Sequence, residues 1–266
     1  ATSAATALAT RLAAKIKTAT PALSMLSVRG MMVHSAKWTP EMIRIGNIKD
    51  IIPLCGYGVP DEETALFSNE KYATFIFENE LIPYWEKDGS NTYNQLHFYD
   101  LPWPTEVLEQ MGEENVKIRI TLSYYVKPSP GYAGRSNKYR YPSATLHFDL
   151  KSASESMEEF LCRRNKSEGE KKTDNDTNRW TIKQQRREQG TVQSDWIECT
   201  AAELASCGQI IVYPGQGWWK ERKLANVDNV IKYSLIVSIE TTKTEIYDAV
   251  ETAISNRIGV QIMQEV

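Results

Sequence analysis

The chain has 266 residues, 31 basic and 34 acidic, for a formal net charge of -3. That length allows one large domain or two ordinary ones with real cores. The near balance of charge gives no footprint for nucleic acid or an anionic membrane, and no apolar run approaches a membrane span. The first residues lack a basic stretch followed by an apolar one, so no signal peptide is expected. Cys55, Cys162, Cys199 and Cys207 form no C-x-x-C pair, and the three His stand far apart. This spacing argues against a zinc site, and thiols so scattered are expected to be reduced. No cofactor and no calcium loop are expected, and a cytoplasmic location is. The chain lacks an initiator Met and reads as a fragment that begins inside a domain.

The first stretch sets the organisation. Ala5, Leu8, Ala9, Leu12, Ala13 and Ile16 fall on one face at helical spacing. Thr2 and Ser3 stand just before it, where an N-cap belongs. A capped, Ala-rich core helix accounts for the pattern. A serine nucleophile at a helix N-terminus does so too, because free N–H groups and the dipole favour developing negative charge there.

Thr20-Pro21 predicts the cap and first residue of a second helix, running from Ala22 to Lys37. His34 near its end is expected to pack or cap, not to act as a base. Cys55-Gly56-Tyr57-Gly58-Val59-Pro60-Asp61 then reads as a tight turn, with Pro60-Asp61 starting a short closing helix. Glu62 and Glu63 sit in its first turn, where acids complement the dipole, and are not read as catalytic.

From about Tyr72 strands replace helices. Ala73 to Phe77 and Tyr93 to Tyr99 are candidates, joined by a polar loop with Asp88-Gly89. Val116, Ile118, Ile120, Leu122, Tyr124 and Val126 alternate with Lys117, Arg119, Thr121, Ser123 and Tyr125. Period two over this length predicts a central strand of a sheet with one buried face. Residues 144–150, 210–213 and 231–239 supply further strands. Together they predict a mostly antiparallel β-sandwich. Ser154 to Arg164 has helical spacing, and Lys166 to Arg179 carries no apolar residue and is expected to be a disordered insertion. Trp218-Trp219 with Lys220 and Arg222 could stack a sugar or a base. Packing of both rings on the sandwich is the expectation. Gly215-Gln216-Gly217 lacks the context of a phosphate loop.

Several phrases together resemble one family. Thr2-Ser3-Ala4-Ala5-Thr6 before a small-residue helix resembles the nucleophile motif of the subtilisin-like serine peptidases, the subtilases. Ala1 stands where that family has Gly, and Ala7 where many members have Pro. Met31 to Ala36 is similar to the phrase that ends the following helix in that family. Gly56-Tyr57-Gly58 with Pro60-Asp61 and Ala65-Leu66 is similar to the way its catalytic domains close. These phrases cover residues 1 to about 68. Residues 116–130, with 105–112 and 142–150, resemble the jelly-roll domain that follows the catalytic domain in some large subtilases. Tyr139 to Pro142, Trp196 and Gly217 to Arg222 are similar to a bacterial branch encoded beside an AAA-type ATPase.

The resemblance implies an α+β chain of two parts. Residues 1–70 would be the C-terminal remnant of an α/β catalytic domain, and 71–266 a jelly-roll-like accessory sandwich. It implies a serine endopeptidase acting on peptide or protein substrates, with Ser3 as nucleophile and an AAA-type ATPase as partner. The triad His and Asp and the oxyanion Asn would lie upstream, so the chain alone is expected to be inactive. Leu8, Leu12 and Ile16 would then need cover from the sandwich or a second copy, and self-association of the chain is expected. The residues also fit a second class: a non-catalytic binding module, with Ser3 only a helix cap.

Overall fold

The computed structural model describes residues 2–68, 71–101, 103–129, 141–165, 179–221, 229–242, 246–250 and 261–265. The insertion at 166–178 lies outside them, as do Ala1, Tyr139, Arg140 and Arg222.

The chain opens with α1 (Thr2–Ala19) and α2 (Met25–His34). The second helix starts later than Thr20-Pro21 predicts. Residues 21–22 form a turn, and Ser24 is the cap, its hydroxyl accepting from the Ser27 N–H at 3.3 Å. Two short strands, β1 (Ala36–Lys37) and β2 (Val59–Pro60), pair antiparallel around an insertion of two helices, α3 (Pro40–Ile43) and α4 (Ile48–Cys55). Neither helix was expected from the sequence. Gly58 closes this unit with φ +100°, and a Cβ there would sit 2.2 Å from the Lys37 carbonyl oxygen. The Asp61 side chain caps α5 (Glu62–Leu66) as predicted, accepting from the Thr64 N–H at 2.8 Å.

The remainder is mixed helix and antiparallel sheet. One four-stranded sheet has the order β3 (Tyr72–Leu81), β11 (Ile231–Thr241), β7 (Asn115–Tyr124), β9 (Val192–Thr200). The other runs β12 (Gln261–Glu265), β6 (Gln95–Asp100), β10 (Gln209–Pro214), β8 (Leu146–Leu150). All neighbours are antiparallel. From β6 onward successive strands alternate between the two sheets. Asp88-Gly89 is not a loose loop. Both residues have positive φ, 52° and 77°, and they turn a hairpin of β4 (Tyr84–Lys87) and β5 (Ser90–Tyr93). Short helices α6 (Thr105–Met111), α7 (Met157–Asn165), α8 (Gln184–Arg187) and α9 (Ala201–Ala205) join the strands.

The two sheets share one apolar core. Ile118, Ile120 and Leu122 of β7 and Leu235 of β11 meet Leu146, Phe148, Ile210 and Val212 in it, all fully buried. Trp219 belongs to this core, and Trp218 packs against it. The pair thus covers the sandwich, as the sequence suggests.

The expectation of a single buried face on β7 is wrong. Arg119, Thr121 and Ser123, on its other face, are also buried. Helix α2 lies across this face, contacting β7 and β11. Close approach needs Gly30, where a Cβ would fall 2.6 Å from Ile236 Cδ1. Helix α1 rests on α2 and α5 in turn. Its Leu12 and Ile16 are buried with Val28, Met31, Ala65 and Ile236, whereas Leu8 is 63% exposed. Cover for this stripe therefore comes from the same chain, and only Leu8 is left without it.

Candidate functional site

Helix α1 is made by composition. Ala, the best helix former, recurs along it, and Thr6 and Thr10 return their hydroxyls to the carbonyls of Thr2 and Thr6 at 3.0 and 2.9 Å. The helix runs from Thr2, so Ser3 lies in its first turn and not before it. Ser3 is exposed. The first turn carries no acid, and its leading N–H groups have no partner within the helix. The positive end of α1 and the Ser3 hydroxyl therefore share one exposed terminus. At the other end Lys17 satisfies the carbonyls of Pro21 (2.8 Å) and Leu23. Glu62 of α5 pairs with Arg11 (3.1 Å) and with Lys15, fixing α1 along its flank. That is a structural use of Glu62, in keeping with the sequence reading.

The three His are all engaged away from this terminus. His34 is 1% exposed. Its Nδ1 is 2.8 Å from Thr121 Oγ1 and its Nε2 2.8 Å from Ser238 Oγ. Burial, with the nearby charges of Arg119 and Lys117, holds its pKa well below the usual histidine value. His97 of β6 lies 2.6 Å from the Tyr233 hydroxyl, which also meets Tyr99, and burial lowers its pKa as well. His147 of β8 lies by Thr145 (3.2 Å) and Glu188 (3.5 Å). None is poised as a base for Ser3.

The densest polar chemistry is the layer between α2 and the sheet, which the sequence did not reveal. Ser27 bonds Ser234 at 2.7 Å and also meets Glu78. Arg29 donates to the carbonyls of Tyr124 (2.6 Å) and Thr191 (3.0 Å). Arg119 donates to Ala36 O (2.7 Å), Val33 O (3.1 Å) and Ser194 Oγ (3.0 Å), so its fork closes the C-terminal end of α2. Burial lowers its pKa to about 10. The Tyr57 hydroxyl accepts from the Ser194 N–H at 3.2 Å, occupying the outer edge of β9. Trp38 meets Trp196 edge-on at 5.2 Å. The outward positions of β7 and β11 carry small hydroxyl residues at Thr121, Ser123, Ser234 and Ser238, but Lys117, Arg119, Lys232 and Glu240 share that face, so the sequence does not mark it as covered.

A second buried polar pair lies within the sandwich. Arg187 Nη1 is 3.6 Å from Asp195 Oδ2, both side chains almost wholly buried, with the guanidinium over Phe148 and Trp180. Asp195 also accepts from the N–H groups of Ile182, Lys183 and Trp196 at 2.8 to 3.0 Å. Lys183 adopts φ +71° where it donates to this carboxylate.

A groove of about 130 Å³ runs between α1, α2, α5 and β3, lined by Ile16, Leu23, Met31, Leu66 and Ile76 among others. It holds no titratable side chain and so offers no acid or base. Among the described residues no group of three His, Cys, Asp or Glu could hold a metal ion, and no helix is long and apolar enough to cross a membrane. Comparison with protein-family models, with curated proteins and with solved structures found no match to this chain.

Proposed function

We propose that this chain is the C-terminal part of a subtilisin-like serine endopeptidase, with Ser3 as the nucleophile. The observation that carries the reading is the placement of Ser3. It is exposed in the first turn of an 18-residue helix whose Leu12 and Ile16 are buried in the same chain. A nucleophile needs such a rigid base and an open face toward its substrate. In this reading Ser3 Oγ gives its proton to the base His as it attacks the scissile carbonyl, the C–N bond breaks as that proton passes to the leaving amine, and water then hydrolyses the acyl-enzyme. The Ser3 N–H supplies one oxyanion donor, strengthened by the helix dipole. The base His, its Asp and the second oxyanion donor, an Asn, come from residues outside this chain. Engagement of His34, His97 and His147 elsewhere supports that division.

The alternation of strands between two antiparallel sheets is what a jelly-roll-like accessory domain would require. In this reading residues 71–266 form that domain and hold the nucleophile helix through α2. An AAA-type ATPase would be the partner that delivers polypeptide.

The test is labelling by a fluorophosphonate probe. The 266-residue chain should not react at Ser3, and the product of the full reading frame should, with Ser3→Ala abolishing it. An upstream sequence without an Asp-Thr/Ser-Gly and a His-Gly-Thr phrase would instead favour a non-catalytic binding module. Brisk labelling of Ser3 in the 266-residue chain would place a base among these residues and overturn the division of roles.

A further inference from the structure

A small polar pocket of about 20 Å³ lies beside the end of α2, bounded by β1, α5 and the adjoining ends of β3, β7 and β11. Tyr72, Arg119 and Ser238 are buried members of its lining, and Lys37, Thr64, Lys117 and Glu240 are more exposed ones. His34 also lines it and, with its pKa held well below the ordinary value, adds no charge near neutral pH. The remaining charges are uneven: three cations, Lys37, Lys117 and Arg119, against one acid, Glu240. Glu240 lies 3.5 Å from Lys117, and Lys37 lies 3.5 Å from Asp61, which stands outside the lining. Arg119 has no such partner. It is 7% exposed, yet no ion pair among the described residues includes it. Its bonds to Val33 O, Ala36 O and Ser194 Oγ use three of the five guanidinium N–H groups. The carbonyls at a helix end and the Trp196 ring 5.1 Å away offer only partial charge. A buried cation left without a counter-ion is costly, and an anion in the pocket would supply one.

We propose that this pocket binds a small monocarboxylate, of formate or acetate size, held by Lys37, Lys117 and Arg119. Size and charge select the ligand. The volume holds one or two water-sized groups, which matches the two oxygens of a carboxylate and falls short of the four of a phosphate or sulfate. A dianion would also meet twice the repulsion from Glu240, and a metal cation would be repelled by the three cations. A carboxylate fits the planar donor fork of a guanidinium, which a spherical halide does not. The Thr64 hydroxyl accepts from Lys37 at 3.2 Å and keeps its own O–H to donate. The proposal does not depend on the role of Ser3.

Saturation-transfer NMR of sodium acetate with the 266-residue chain tests it. The expected result is a saturable acetate signal that formate displaces, and that chloride and sulfate at equal ionic strength do not. Lys37→Gln and Lys117→Gln should each raise the acetate Kd by at least about tenfold. Circular dichroism should not change, because both side chains reach solvent. Glu240→Gln should lower the Kd, a gain that loss of a merely structural acid would not give. Absence of transfer to acetate would leave only water in the pocket and overturn the proposal. Displacement by chloride as readily as by formate would overturn it too, as would an acetate Kd that both Lys variants leave unchanged.

Discussion

His34 and Thr121 meet across the boundary between helix and sheet, imidazole Nδ1 to hydroxyl Oγ1 at 2.8 Å. Ser238 holds the other ring nitrogen at the same distance, and the Thr121 hydroxyl continues to Ser194 at 2.7 Å. Helix α2 is therefore joined to β7, β9 and β11 by a polar seam, and Gly30 and Ile236 close the space beside it.

This seam makes stability depend on pH. Burial holds the His34 pKa well below the ordinary value, and outside the seam burial also lowers that of His97. In the unfolded chain both rings take up a proton below about pH 6.5. The unfolded state then binds more protons, so stability falls as pH falls through that value and is fully present above it. From pH 6.5 to 5.5 His34 alone should remove about 1 kcal/mol. Denaturant titrations at the two pH values check this. His34→Gln should show that much less acid loss, and an unchanged loss would mean His34 is protonated when folded.

The turn at Gly58 should be far less tolerant than the one at Gly46. Both have positive φ, +100° and +119°, but a Cβ at Gly46 meets nothing within 4 Å, whereas at Gly58 it meets the Lys37 backbone. Gly46→Ala should cost about 1–3 kcal/mol, the backbone strain alone. Gly58→Ala adds a clash with backbone that cannot rotate away, for a further 1–3 kcal/mol or so. Equal losses in thermal unfolding would show that the β1–β2 contact is loose.

Asp195 should matter more than Arg187, although they form one pair. Asp195→Ala strips three N–H groups and leaves a buried guanidinium without its carboxylate, at a cost of about 3–5 kcal/mol. Arg187→Met leaves the carboxylate with all three donors. Burial already raises the Asp195 pKa, so it can also take up a proton. Its cost should be smaller, and chemical denaturation of the two variants gives the order.

Stability and chemistry should separate on α1. Ser3→Ala changes an exposed side chain and should stay within about 0.5 kcal/mol. Ile16→Ala opens the cluster with Val28 and Met31 and should cost about 2–5 kcal/mol. A large loss on Ser3→Ala would give the hydroxyl a structural role.

Local features were legible in the chain. Period two placed Ile118, Ile120 and Leu122 in a core, Asp61 announced a cap, and the small-residue phrase singled out Ser3. These signals are carried by neighbours in the chain. Other features come from contacts between distant parts of the chain. The second buried face of β7 was not legible, because alternation with polar residues reads the same whether water or a helix lies beyond. Thr121 and Ser123 become seam residues only when His34 and Arg29 arrive from far away in the chain. The pairing of Arg187 with Asp195 depends on a crossing between elements and left no periodic mark. Helices α3 and α4 did leave local marks that went unread: Thr39 caps α3 with Pro40 in its first turn, and Ile48, Ile51, Ile52 and Cys55 fall at helical spacing on the less exposed side of α4.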